Sequence, residues 1–342
     1  MHCTLLVPDL LLPPAPDHAP YRDLHLPALA RLLARGSCTT SDARGMETWL
    51  CEAFAVERQH DWPVAPLTLT IDGGDPGAAY WLRCDPVHLR AQRHQLLLAD
   101  SSTFAPMPDE AHALMATLNA HFEPDGLVFH APHPARWYLR VERAPALATQ
   151  ALPDVAGKDI DRHLPAGDDS GRWHHILNEI QMVLHAHPVN QAREAQDRPA
   201  INSVWLWGGG VMPASHGRPF TGVWSDDALA LALAGMCDIT ARTLPGDAAP
   251  IIDAAAGVAQ RQLAVLPQLR AAACHGDLDL WRTTLAVIER DWFAPLCAAL
   301  RRRRLAGLTL VALNSRMCRR YDIDGGDLWR FWRRLRPLDQ YA

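Results

Sequence analysis

Residues 199–210 read Pro-Ala-Ile-Asn-Ser-Val-Trp-Leu-Trp-Gly-Gly-Gly, and this stretch decides how the rest of the chain is interpreted. Its apolar part, residues 203–207, predicts a strand that is buried on both faces, as in the interior of a parallel sheet. The three glycines at 208–210 predict a sharp turn directly after the strand, because glycine adopts backbone angles that other residues avoid.

Similar apolar runs lie near both ends of the chain. Residues 4–7 are followed by Asp9, and residues 308–313 are followed by Asn314. Because the carboxyl ends of parallel strands meet at one edge of a sheet, we expect Asp9, Trp207 and Asn314 to lie near the same edge.

The middle of the chain has a different pattern of short strands and helices. Its first element, residues 67–71, alternates between apolar and polar side chains and predicts a strand. We therefore expect an α+β insertion at about 68–195, within an α/β core formed by residues 1–67 and 196–342. In the last part of the core, residues 251–272 predict one long helix.

Composition excludes several classes of protein. Of 342 residues, 49% are hydrophobic and 21% are charged, which predicts a packed core and excludes global disorder. The net charge of −5 argues against general nucleic-acid binding. Eight cysteines without a CxxC pair favour reduced thiols, and no apolar run has the length of a membrane span. We therefore expect a cytoplasmic protein.

Several short motifs occur in the order in which they occur in a known family. Residues 199–210 resemble the AN-x-[IL]-W-x-W-G-x-G segment of archaeal-type, cofactor-independent phosphoglycerate mutases. Residues 187–193 resemble their H-x-V-N-x-x-R segment, and residues 83–85 read Arg-Cys-Asp where the family has Arg-Cys-Asn. The chain looks most like a bacterial offshoot of that family, the Rpf-type regulatory proteins (regulation of pathogenicity factors, letter E).

The resemblance implies an alkaline-phosphatase-like core, in which helices flank a mostly parallel sheet and the insertion serves as a cap beside a ligand cleft. Arginine suits a phosphorylated or other anionic small molecule, because its planar fork bonds two oxygens at once. The residues that we expect to line such a pocket are Arg83, His187, Asn190, Arg193, Trp207, Gly208 and Gly210.

The resemblance also implies two divalent metals and a Ser or Thr nucleophile, and here the chain departs from the family. Met46 stands at the nucleophile position, and the nearest hydroxyl belongs to Thr48. Asn314 and Ser315 stand where the family has metal-binding Asp and His. The remaining ligand candidates are Asp9, His275 and Asp277. We therefore expect no metal and no other cofactor; an active enzyme would use Mn²⁺ or Zn²⁺ with Thr48.

The C-terminal residues 328–336 read Leu-Trp-Arg-Phe-Trp-Arg-Arg-Leu-Arg and predict a basic amphipathic helix. This helix could dock on the core through Trp329 and Trp332. It could instead present these tryptophans, with Arg333 and Arg334, to a protein partner.

Three functions stay open at this point. The first is a phosphoglycerate-mutase-like protein that has lost metal-dependent catalysis and acts in regulation or ligand sensing. The second is an active phosphomutase or phosphatase with substituted metal ligands. The third is a partner-binding protein that uses the C-terminal helix.

Overall fold

The computed structural model describes residues 1–13, 19–42, 45–92, 95–254, 260–314 and 316–341. The strands are β1 (His2–Pro8), β2 (Ser37–Ser41), β3 (Tyr80–Gln92), β4 (Gln95–Ala99), β5 (Val128–His133), β6 (Arg136–Val141), β7 (Ser203–Gly210), β8 (Gly222–Trp224), β9 (Thr240–Arg242), β10 (Arg261–Val265), β11 (Gly307–Leu313) and β12 (Cys318–Asp324). The helices are α1 (Pro27–Arg35), α2 (Met46–Ala53), α3 (Val64–Ile71), α4 (Ser101–Phe104), α5 (Pro108–Phe122), α6 (Leu152–Val155), α7 (Ser170–His185), α8 (Pro188–Glu194), α9 (Ala228–Met236), α10 (Ala249–Asp253), α11 (Gln268–Cys274), α12 (Leu278–Ile288) and α13 (Ala294–Arg301).

The chain forms two compact units. The first unit consists of residues 1–55 and 215–342, and the second unit consists of residues 56–214. The second unit is therefore longer at both ends than the insertion expected at 68–195. It is longer because β7 pairs with β3, and because α3 packs against both of these strands.

The first unit is built on a mostly parallel sheet. In the described part of the chain its strand order is β2-β12-β11-β1-β10-β8-β9. The strands from β11 to β9 run parallel to one another. At one side of the sheet, β12 pairs antiparallel with β11, and β2 pairs antiparallel with β12. Almost every residue of β1 and β11 is buried, as their continuous apolar runs predict. The predicted class, a mostly parallel α/β core interrupted by an α+β insertion, is confirmed.

The strand β10 was not predicted, and it lies in the middle of this sheet. The single helix predicted over residues 251–272 is wrong, because that range overlaps α10, β10 and α11. β10 pairs in parallel with β1 and with β8, so that Leu5 lies opposite Ala264. The hydrogen bonds of this ladder come from segments far away in the sequence, which a local apolar pattern does not reveal.

The second unit is built on an antiparallel sheet with the strand order β4-β3-β6-β5, and β7 pairs with β3. Successive residues of β6 belong to two apolar clusters. Trp137 and Leu139 lie in a cluster with residues of α5 and α7, whereas Tyr138 lies in a cluster with Ala65 and Leu69 of α3. Because successive side chains of a strand point to opposite faces, the sheet has a packed core on each face.

Residues 67–71 lie in α3, so the strand predicted there is wrong. The Thr68 and Thr70 hydroxyls donate to the carbonyls of Val64 and Leu67, one turn back along the helix, at 2.9 and 2.7 Å. Residues 64–69 are all buried. Their alternation of apolar and polar side chains therefore does not mark one buried and one exposed face, as it would in a half-buried strand. Among the described residues, the structure has no helix that is both long enough and apolar enough to cross a bilayer.

Candidate functional site

The candidate residues of the first unit collect at the carboxyl edge of its parallel strands. Pro8 of β1 lies opposite Leu313 of β11, so Asp9 and Asn314 follow neighbouring strands. The Asp9 N–H donates to the Leu313 carbonyl at 2.7 Å. Gly45, which precedes α2, donates its N–H to the Asn314 carbonyl at 3.4 Å. The register confirms the predicted proximity of Asp9 and Asn314.

An ion pair that sequence reasoning missed lies at this edge. Glu47 is in the first turn of α2, and Arg270 is in α11, directly after β10. The Arg270 guanidinium donates to both carboxylate oxygens of Glu47, at 2.8 and 2.9 Å. Both side chains are largely buried, with exposed fractions of 14% for Arg270 and 10% for Glu47. A bidentate pair of this kind is strong and directional, so a fixed cation already neutralises Glu47.

The groups around this pair are Met46, Thr48 and Asp227. Met46 is buried, with its Sδ 4.0 Å from the Arg270 guanidinium, and Thr48 is half-buried in the first turn of α2. Asp227 begins α9 and accepts a hydrogen bond from the Ala230 N–H at 3.0 Å. Burial raises the pKa of Asp227, and the negative charge of Glu47 raises it further.

The other two predicted metal ligands, His275 and Asp277, lie at helix ends. Asp277 accepts a hydrogen bond from the Leu280 N–H at 2.9 Å and begins α12. His275 ends α11, and both His275 and Asp277 are exposed. The Asn314 side-chain oxygen accepts two backbone N–H groups of the loop that follows, at 2.9 and 3.2 Å. Ser315 lies outside the described residues.

This set of donors does not fit a pair of divalent metals. Two such ions, about 4 Å apart, need several carboxylates and imidazoles that converge on them. Within the ranges that the structure describes, no group of three or more His, Cys, Asp or Glu side chains is arranged to hold a metal. A further carboxylate at this edge, Glu47, is already bound by Arg270.

Arg83, predicted to line an anion pocket, is enclosed in the interior of the second unit. Its Nε and Nη2 donate to Asp85 Oδ1 at 3.0 and 2.6 Å. Its guanidinium lies 5.3 Å from the ring centroid of Tyr138 and 5.1 Å from that of Trp207. Burial raises the pKa of Asp85, and the positive charge of Arg83 opposes this rise. The aspartate that replaces the family's asparagine thus supplies an internal counter-ion, which binds the Arg83 guanidinium inside the unit.

Arg193 is also bonded inside the second unit. It is 1% exposed and pairs with Glu110 at 2.5 Å. It also donates to the carbonyls of Phe104 and Pro199, at 2.6 and 2.7 Å. These bonds engage all three nitrogens of the Arg193 guanidinium, so the predicted role of Arg193 in an anion pocket is not supported.

Asn190 and His187 connect segments of the same unit. The Asn190 side chain donates to the carbonyls of Leu184 and Ile201, each at 2.8 Å, and accepts the Ile201 N–H at 2.7 Å. His187 Nδ1 accepts the Val189 N–H at 3.1 Å and begins α8. Burial lowers the pKa of His187, which favours its neutral form. The motif 187–193 therefore holds the unit together.

Glycines 208–210 lie within β7, so the turn predicted directly after the strand is wrong. Close packing within the second unit constrains these positions. Gly208 has a φ of 65°, and a Cβ on Gly210 would lie 2.6 Å from the ring Cβ of Pro63. Trp207 lies in β7, and its Nε1 donates to Asp85 Oδ2 at 2.7 Å. The expectation that Trp207 shares a sheet edge with Asp9 is wrong, because β7 pairs with β3 and joins the other sheet.

The predicted C-terminal helix is wrong as well. Residues 327–329 form one 3-10 turn, and no helix follows over residues 330–336. Arg333 instead donates to the carbonyls of Arg35 and Gly36 at the end of α1, at 3.2 and 2.9 Å. Trp329 and Trp332 remain exposed, so they do not dock on the core.

Comparison with known proteins gives a family for part of the chain. Residues 76–190 match the family model of 2,3-bisphosphoglycerate-independent phosphoglycerate mutase. The mutase of this name from Methanosarcina mazei is 29% identical over 119 residues, which cover 34% of this chain and 30% of the relative. A probable mutase from Geobacter sulfurreducens is 28% identical over 187 residues, which cover 54% of this chain and 46% of the relative. The chain thus matches between 30% and 46% of the length of these relatives.

A similar fold occurs among solved structures. The PH0037 protein from Pyrococcus horikoshii has a TM-score of 0.57 at 11% identity, with 94% of this chain and 87% of that chain covered. A cofactor-independent phosphoglycerate mutase from Thermoplasma acidophilum has a TM-score of 0.48 at 13% identity, with 95% and 90% covered.

The resemblance of the motifs to cofactor-independent phosphoglycerate mutases is confirmed, and residues 76–190 of this chain are similar to that family. The narrower likeness to the Rpf-type regulatory proteins stays a prediction. The matched residues 76–190 lie entirely in the second unit. The edge with Asp9 and Glu47 belongs to the first unit, outside that match.

Proposed function

We propose that this phosphoglycerate-mutase-like protein does not catalyse metal-dependent phosphoryl transfer, and that it acts as a regulatory or ligand-sensing protein. The observation that carries the proposal is the ion pair of Glu47 with Arg270 beside the buried Met46.

Electrostatics argue against mutase chemistry at this edge. Phosphoryl transfer depends on cations that neutralise charge on the transferred group, and the protein must hold those cations with anionic donors. A guanidinium at this place repels a divalent metal. Displacing Arg270 would remove a bidentate counter-ion from a largely buried carboxylate, which is strongly unfavourable. Met46 cannot form a phosphoester in any case.

A second feature supports a non-catalytic role. The motif residues at 83–85 and 187–193 still build the second unit through internal bonds. Two replacements, Met46 and Asn314, fall on positions that react or bind metal in the family. A protein derived from a mutase and used for binding or regulation would keep the groups that maintain its fold and lose those that react.

Metal analysis and a mutase assay of the purified full chain test this proposal. We expect no stoichiometric Mn²⁺ or Zn²⁺ and no conversion of 3-phosphoglycerate in added Mn²⁺. Met46→Ser should restore nothing, because a hydroxyl without the cations lacks the main source of transition-state stabilisation. The Methanosarcina mazei mutase, assayed in parallel, shows that the conditions support turnover.

Metal-dependent turnover that is abolished by Asp9→Ala or by Thr48→Ala would contradict the proposal. It would favour an active enzyme with substituted ligands. The sensing role is tested separately by thermal unfolding with 3-phosphoglycerate and with inorganic phosphate. A ligand that binds only the folded state raises the unfolding temperature. Absence of any shift with either compound would argue against recognition of small phosphorylated molecules.

A further inference from the structure

A basic and aromatic surface lies at the amino-terminal edge of the sheet in the first unit. Gly307, the first residue of β11, lies opposite Asp324, the last residue of β12. The residues just before Gly307 and just after Asp324 therefore leave the sheet at the same edge. We call residues 301–304 and 327–336 the basic–aromatic surface. It is at the opposite end of β11 from Asn314.

Large apolar side chains project from this surface. The exposed ones are Trp329 (67%), Phe331 (80%), Trp332 (67%) and Leu335 (50%). The segment that carries them is held at both ends by the buried side chains of Leu328 and Leu338. Arg333 ties its centre to the end of α1. These aromatic rings are thus presented to the outside by an anchored segment, and such an exposed apolar cluster points to an interaction site.

Positive charge surrounds these rings. The two segments of the surface contain eight arginines and one aspartate, Asp327. Asp327 pairs with Arg330 at 2.6 Å, and Asp253 from outside the surface pairs with Arg304 at 2.6 Å. Residues 301–304 are all exposed. The chain as a whole has a net charge of −5, so this surface has the opposite sign to the rest of the molecule.

We propose that the basic–aromatic surface binds the face of a membrane that contains anionic lipids. Arginine guanidinium groups can donate two hydrogen bonds at once to the oxygens of lipid phosphates. The positive surface and the anionic membrane also have complementary charges. Tryptophan favours the headgroup level of a bilayer, where its ring is in apolar surroundings and its N–H is in polar ones. The rings project outward from a turn, so they can insert between lipid headgroups. The flat or convex face of an acidic protein would leave no room for such projecting rings.

Sedimentation of the full chain with lipid vesicles tests this inference. The vesicles are phosphatidylcholine alone and phosphatidylcholine mixed with phosphatidylglycerol. We expect binding to the mixed vesicles, weakened by added salt, and little binding to the neutral ones. Arg334→Ala combined with Arg336→Ala should reduce partitioning by about 30-fold, since each basic residue contributes roughly a factor of five. Trp329→Ala combined with Trp332→Ala should also reduce it.

Matched controls lie in the second unit. Met182→Ala removes an apolar side chain that is 73% exposed, and Arg90→Ala removes an exposed arginine. Neither change should alter vesicle binding. All of the substituted side chains are exposed, so circular dichroism should show unchanged folding in every variant.

Three results would overturn the inference. The first is equal binding to neutral and mixed vesicles, and the second is binding that neither double variant reduces. The third is no binding to either vesicle. If, in that case, polyglutamate bound and the arginine double variant abolished its binding, the surface would be assigned to an acidic polypeptide.

Discussion

Asp72 illustrates how a single carboxylate stabilises the second unit. It ends α3 and accepts hydrogen bonds from two residues of β6, Arg136 at 2.8 Å and the Tyr138 hydroxyl at 2.5 Å. Burial alone would raise the pKa of Asp72. The hydrogen bonds and the charge of Arg136 outweigh this effect, so the pKa is lowered. The ionised carboxylate is therefore favoured in the folded state and links a helix to a strand.

The lowered pKa of Asp72 predicts a loss of stability in acid. The folded pKa lies below the unfolded one, so the contribution of Asp72 is fully present above the unfolded value of about 4 and is lost as the pH falls through the folded value. Asp72→Asn should lower the free energy of unfolding at pH 7 by about 1–3 kcal/mol. The substitution should also make the free energy of unfolding depend less on pH between about 2 and 5.

Urea unfolding at a series of pH values measures both effects. Asp125→Asn, which removes an exposed carboxylate of the same unit, is the matched control and should change little. If the pH profile of Asp72→Asn ran parallel to that of the native chain, the role assigned to Asp72 would be refuted.

At the scale of the elements, the packing of β7 explains why its last residue, Gly210, is a glycine. A Cβ on Gly210 would lie 2.6 Å from the ring Cβ and 3.1 Å from the Cα of Pro63, and a proline ring has little freedom to move away. Gly210 has no positive φ, so close packing is the reason for glycine there. β7 can therefore pack against Pro63, which precedes α3, only if residue 210 has no side chain.

Gly210→Ala should destabilise the second unit by about 1–3 kcal/mol, the usual cost of overpacking a tight contact. Gly171→Ala is the matched control, because Gly171 lies in α7 and the added Cβ would meet no atom within 4 Å beyond its chain neighbours and its own helix backbone. This control should leave stability unchanged or raise it by up to about 1 kcal/mol. Equal effects of the two substitutions in urea unfolding would show that the Pro63 contact is not the reason for Gly210.

At the scale of the whole molecule, the second unit has the features of an independent domain. It is one continuous stretch, residues 56–214, with its own sheet and a hydrophobic cluster on each face. Near its two ends, the Gln59 amide bonds both the C=O and the N–H of Val211, at 2.9 and 3.0 Å. The two ends of the stretch are thus tied together within the unit.

We therefore expect a fragment of residues 56–214 to fold without the rest of the chain. It should unfold in urea in a single cooperative transition and show a near-ultraviolet circular dichroism signal from its packed tryptophans. Gradual unfolding without that signal would mean that the second unit needs the first to fold.

The amino-acid sequence by itself determined much of the edge that carries Asp9 and Asn314. The continuous apolar runs before these residues predict buried strands, and parallel strands bring their carboxyl ends to one edge. The lack of a hydroxyl at Met46 is likewise visible in the sequence. These features depend on residue type and local pattern, which a single sequence contains.

Only the tertiary structure decided which groups become partners. β7 has the apolar pattern of a parallel core strand, yet it pairs antiparallel with β3. Arg83 is bound by Asp85 between two rings, and Arg270 is bound by Glu47, which is 223 positions away. The physical reason is that hydrophobic burial is not directional, so an apolar pattern predicts that a side chain is buried but not against what. Ion pairs and ladder bonds need exact geometry between distant segments, and only the complete fold provides it.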